Sequence, residues 1–129
     1  MPNFYKFELS GSTDGAGLTV PSVSYGAPGV IVHAATTNSG TDGNEYDEIW
    51  VWAANIDASP RTLGLQVGAG AGAALTNSML AHYTVPAQGA GAMLVVPGWI
   101  LQASLYLRAT ASLASVINLF GYVNRIARQ

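Results

Sequence analysis

The chain has 129 residues, half of them hydrophobic but only 9% charged, with a net charge of −2 and no cysteine. That length fits one domain. The composition excludes disulfides and thiolate metal centres, and at far below the roughly 25% charge of an average soluble domain it requires a surface of small polar and apolar residues. The five basic residues, Lys6, Arg61, Arg108, Arg125 and Arg128, are scattered. A nucleic-acid groove needs them clustered, so no nucleic-acid partner is expected, and Arg125 and Arg128 read as solvated tail charges.

The opening residues, Met1 to Glu8, lack a basic stretch followed by an apolar one, so the reading is of synthesis for use in the cytosol. Glycines and prolines then interrupt short apolar pieces as far as Pro28. Residues 1–28 are therefore expected to form an extended arm, with Phe4, Tyr5 and Phe7 as its anchors. The alternative is that this segment folds back as an edge strand on its own domain.

From residue 29 to residue 129 short β runs alternate with turn residues. The first is Gly29 to Ala34. The run from Glu48 to Asp57 carries large side chains on both faces, with Trp50 and Trp52 at its centre. One face is expected to meet a second sheet and the other to be covered by another subunit. Asn55 to Pro60 supplies turn chemistry, and Arg61 to Val67 alternates as a half-buried strand should. The glycine-rich stretch 68–74 reads as a connector. It lacks the Lys-Ser/Thr ending of a phosphate-binding loop. Extended structure resumes at Met79 to Val85. Met93 to Val96, a Pro97-Gly98 turn, Trp99 to Leu101, Leu105 to Ala109 and Ser115 to Val123 follow.

About eight such runs predict an all-β fold, an antiparallel β-sandwich, jelly-roll-like, with the N-terminal arm attached. Trp50, Trp52, Leu94, Val96, Leu119 and Phe120 are the candidates for inter-sheet or interface packing. The lowered charge reduces both repulsion and the cost of desolvating an interface, which favours a stable oligomer. The longest apolar stretch, Ala92 to Leu101, is cut by Pro-Gly and too short for a membrane helix, so no membrane partner is expected.

No arrangement of residues declares a reaction. Asp42, Asn44, Glu45 and Asp47 could converge on a hard cation, but their spacing is not that of a calcium loop, so no metal or cofactor is expected. Glu45 and Glu48 are close in sequence, which is not the geometry of a glycosidase pair. His33 and His82 lie in separate β runs, and no glycine-flanked serine marks a nucleophile. Tyr25, Tyr46, Tyr83, Trp99 and Tyr106 could stack on sugar rings. The chain is read as a non-enzyme.

Three pieces taken together carry a resemblance: Glu48 to Asn55 with Ser59 to Leu63, Val85 to Gln88 leading to Leu94 to Gly98, and Val116 to Arg125. In texture and order they resemble small virion structural proteins of tailed bacteriophages. The resemblance implies a capsid decoration, or cement, protein on the outer head surface, which clamps the major capsid protein and commonly acts as a trimer. On that reading the capsid or oligomer interface is formed by Phe4, Tyr5, Phe7, Trp50, Trp52 and Trp99. The alternative is a head-fibre or tail-associated module that binds a receptor or carbohydrate.

Overall fold

The structure, a computed structural model, describes residues 3–21, 29–35, 45–69, 79–102 and 105–127. It contains two antiparallel sheets packed face to face, a β-sandwich. Among the described residues the strands are β1 (Asn3–Glu8), β2 (Leu18–Thr19), β3 (Val30–Ala34), β4 (Glu45–Asn55), β5 (Arg61–Ala69), β6 (Met79–Val85), β7 (Met93–Leu101), β8 (Leu105–Ala111) and β9 (Ile117–Ala127).

The first sheet has the order β1-β9-β4-β7, with the short β2 also paired to β9. The second has the order β3-β8-β5-β6. Among the described strands only β1–β2 and β5–β6 are consecutive within one sheet, and every other pair of successive strands lies in opposite sheets.

Alternation along β4 separates its two faces. Asp47, Ile49, Val51, Ala53 and Asn55 are buried, while Glu48, Trp50, Trp52 and Ala54 are half-buried on the outside. The same parity on β9 sends Ile117, Leu119 and Val123 inward. They meet Leu63 and Leu65 of β5 and Leu107 and Ala109 of β8 in one continuous core. Val96 and Leu119, expected at an inter-sheet or interface position, belong to this core; Trp50, Trp52, Leu94 and Phe120 lie on the other side of the sheet.

Two expectations change on contact with the structure. Within residues 1–28, read as an arm, Asn3–Glu8 pairs along β9 from Ala127 to Tyr122, and Leu18–Thr19 pairs with Leu119 and Asn118. Leu9 and Val20 are wholly buried. The edge-strand alternative is the arrangement observed, because these apolar residues complete the core beside β9. Pro97-Gly98, read as a turn, lies inside β7. As an edge strand, β7 tolerates a missing N–H. The register against β4 shifts on either side of this point, between Ile49 and Trp50 and between Val51 and Trp52. Gly98 takes a positive φ of 77°, and a Cβ there would stand 3.0 Å from Cζ2 of Trp50. The dipeptide is therefore a bulge that makes room for an indole.

The turn foreseen at Asn55 to Pro60 is built by Asn55. Its amide donates to the carbonyls of Ser59 (2.9 Å) and Val85 (3.2 Å), and its oxygen accepts the N–H of Asp57 at 2.8 Å. Arg61 closes the turn on Asp57. Of the glycine-rich stretch 68–74 read as a connector, Gly68 and Ala69 instead continue β5 against Tyr106 and Leu105, and residues 70–74 lie outside the described residues.

Candidate functional site: a buried polar strut and an aromatic sheet face

Inside the sandwich a polar cluster joins the two sheets. Asp47 on β4 stands opposite Arg125 on β9. The guanidinium donates through Nε to Oδ1 at 2.7 Å and through Nη2 to Oδ2 at 2.9 Å. From the second sheet, where β3 is bulged between Ile31 and His33, the His33 ring reaches across and places Nε2 2.7 Å from Asp47 Oδ2. The bulge is what lets both Val32 and His33 be buried.

The tautomer follows from the other nitrogen. Nδ1 accepts the backbone N–H of Ser10 at 3.2 Å, so the proton sits on Nε2 and is donated to Asp47. The Arg125 guanidinium lies 4.7 Å from the centroid of Phe7, whose ring is 6.3 Å from that of His33. Burial alone would raise the pKa of Asp47, but the hydrogen bonds from Arg125 and His33 outweigh it and hold the carboxyl below its usual value. The same hydrogen bond, working against burial, raises Arg125. Arg125 is thus a structural partner, contrary to its reading as a solvated tail charge. Arg128 lies outside the described residues.

Ser10 Oγ is 2.9 Å from His33 Nδ1, so Ser10, His33 and Asp47 stand in the order of a hydrolytic relay. The surroundings give that relay little to work with. The lone pair of Nδ1 is shared with Ser10's own N–H, and Ser10 Oγ accepts the N–H of Ala34 at 3.2 Å. The neighbouring amides of Gly11 and Ser12 donate to the carbonyls of Val32 and Leu9, so they are not turned toward a developing oxyanion. The cluster ties the segment after β1 to both sheets, and its chemistry is that of a strut.

The outer face of the first sheet is of a different kind. The strand register arranges it in rows running from β1 to β7: Lys6, Asn124, Glu48 and Ile100; then Glu8, Tyr122, Trp50 and Pro97; then Phe120, Trp52 and Leu94. Ile100 is 51% exposed, Leu94 40% and Phe120 38%. Glu48 orients the middle of the face, accepting Trp50 Nε1 at 2.7 Å and Asn124 Nδ2 at 3.2 Å. Trp52 and Tyr122 lean together, centroids 6.1 Å apart at 36°, and Lys6 Nζ lies 4.4 Å from the Tyr122 centroid.

The residues expected at an interface are thus distributed. Trp50 and Trp52 are neighbours on this face. Tyr5, 53% exposed, stands on the edge strand β1, and Phe7 covers Arg125. Trp99 packs against the core and lines a cavity of about 430 Å³ with Val67, Ile100, Leu101 and Leu105. The Phe4 backbone pairs with Ile126, and its side chain lies outside the described residues. Of the tyrosines proposed to stack on sugars, Tyr83 packs on the core, Tyr106 lies beneath Arg108, and Tyr25 lies outside the described residues. Asp42 and Asn44 of the acidic stretch also lie outside them. Among the described residues no group of three potential metal ligands comes together. Tyr122 was missed in the sequence, although the alternation Asn118, Phe120, Tyr122, Asn124 marks one face of a strand. Comparison with protein-family models, with curated proteins and with solved structures returned no match.

Proposed function

We propose that this protein is a virion structural subunit, a capsid decoration protein of a tailed bacteriophage that binds the outer head surface and stabilises the lattice of the major capsid protein. The observation that carries the reading is the aliphatic strip of β7, where Leu94, Pro97 and Ile100 stand exposed beside Trp50 at the edge of a rigid sheet. Apolar side chains held in this way gain by being covered, and with only 9% of the chain charged there is little repulsion to overcome. Proline and a bulge in β7 discourage open-ended strand addition, so the strip favours side-chain packing in a closed oligomer, a trimer on this reading. The strand orders β1-β9-β4-β7 and β3-β8-β5-β6, with connections that repeatedly cross the sandwich, support a jelly-roll description of the fold.

Decoration acts physically. Each subunit buries a modest apolar area, and many copies engaged at once multiply weak contacts into a durable clamp. The test is to add purified protein to undecorated heads. Saturation at high copy number with raised resistance to heat is expected. Binding to cells with no effect on head stability would replace this reading with that of a receptor-binding module.

A further inference from the structure

On the aromatic face, next to the Leu94 end of the β7 strip and away from Ile100, Trp52, Phe120 and Tyr122 line a shallow groove with Gly15 and Ala92 at its borders and a volume of about 480 Å³. That volume falls within the roughly 300–1,000 Å³ of ligand clefts, whose walls are mainly apolar and aromatic with a few placed polar groups. One border is fixed: Asp14 and Gly15 both take positive φ, and the Gly15 N–H donates to Glu8 Oε2 at 2.7 Å.

The charges beside the groove describe its occupant. Lys6 and Glu8 are one cation and one anion on the same strand. The ammonium lies over the Tyr122 ring and the carboxylate is anchored by Gly15, so the pair offers no net charge to an ion. Each keeps hydrogen-bonding capacity, the ammonium with three donors and the carboxylate with further lone pairs. The exposed Asp14 on the same border adds a further carboxylate, which disfavours an anion, and a neutral ligand with an apolar face for the rings and hydroxyls for the rim fits. A pyranose has that form: its C–H faces carry slight positive charge and complement the negative face of an aromatic ring. Three adjacent rings over a patch of this size match a single sugar ring, whereas a protein partner would need about 800 Å² on each side.

We propose that this groove is a subsite for a neutral hexopyranose unit of a glycan. The proposal stands independently of the decoration reading. It is tested by titrating the full chain with neutral gluco-, galacto- and manno-configured oligosaccharides, followed by tryptophan fluorescence and calorimetry. A saturable response to at least one is expected, weakened about fivefold to tenfold in Trp52→Ala and in Tyr122→Ala. Phe120→Ala, at an exposed position, guards against misfolding of the other two and is expected to weaken binding as well. Ile100→Ser, which alters the β7 strip, leaves glycan binding unchanged even where it abolishes capsid binding. The proposal is overturned by no response to any of these sugars up to about 10 mM, by undiminished affinity in all three aromatic variants, or by a response confined to acidic oligosaccharides.

Discussion

Replacing Asp47 by alanine tests the strut directly. The wild-type carboxylate is wholly buried and accepts from His33 and from two nitrogens of Arg125. Its removal leaves the Nε2–H of a His33 ring that is 1% exposed without its acceptor, while Arg125, 27% exposed, can turn partly outward. Breaking a buried ion pair from one side costs about 3–5 kcal/mol, and the partial escape of Arg125 places this case near the lower end, about 3 kcal/mol. With a urea dependence of about 1–3 kcal/mol per molar, the unfolding midpoint should fall by roughly 1–3 M. The paired variant Asp47→Ala with Arg125→Met should recover part of the loss, since it no longer leaves a guanidinium without its partner. The acid limb gives a second reading. Asp47 titrates lower in the folded chain than its usual 3.8, so its contribution is complete above that value and is lost as the pH falls through the lower folded value. Asp47→Ala should therefore lose less stability than the wild type below about pH 4. A midpoint shift under about 0.5 M, or an unchanged acid limb, would refute the view that this cluster holds the sheets together.

Gly98→Val should cost about 1–3 kcal/mol in urea denaturation, because it forces a side chain into positive φ and against the Trp50 ring. Asn55→Ala should cost about 1–3 kcal/mol by the same measurement, since the carbonyls of Ser59 and Val85 and the N–H of Asp57 lose their partner together. Ile100→Ser should change folding stability by no more than about 0.5 kcal/mol, as its side chain is half exposed, yet reduce self-association in sedimentation and retention on heads.

The strands that announced themselves were those whose two faces differ. β5 alternates Leu63, Leu65 and Val67 with Thr62, Gly64 and Gln66, and β4 shows the same parity once its two faces are separated. Parity says which side chains share a face, but it does not name the face that meets the core. That is why Trp50 and Trp52 were assigned together while their side of the sheet was not. Pro97-Gly98 was misread because a local turn signal and an edge-strand bulge use the same residues, and only the neighbouring Trp50 ring distinguishes them. The strut was illegible because His33, Asp47 and Arg125 are brought together by sheet pairing and packing across the sandwich, and their separations in sequence carry no period. The groove was half legible: Phe120 and Trp52 were singled out, but Tyr122 and the anchoring of Glu8 by Gly15 depend on the register of β1 against β9.

That register also governs the order in which the fold can assemble. β9 lies between β1 and β4 and carries β2 as well, so β1 and β2 wait on the last of these strands and β4 lacks one of its two neighbours until then. On a ribosome β1 and β2 would emerge long before β9 and remain unpaired until it arrived, while β4 could pair with β7 alone in the meantime. Contacts between such distant parts of a chain close slowly, on the millisecond-to-second scale of all-β sandwiches. During that interval the aromatic residues of β1 and β4 are exposed in the nascent chain, and the cell must keep them apart from those of neighbouring copies until β9 is made.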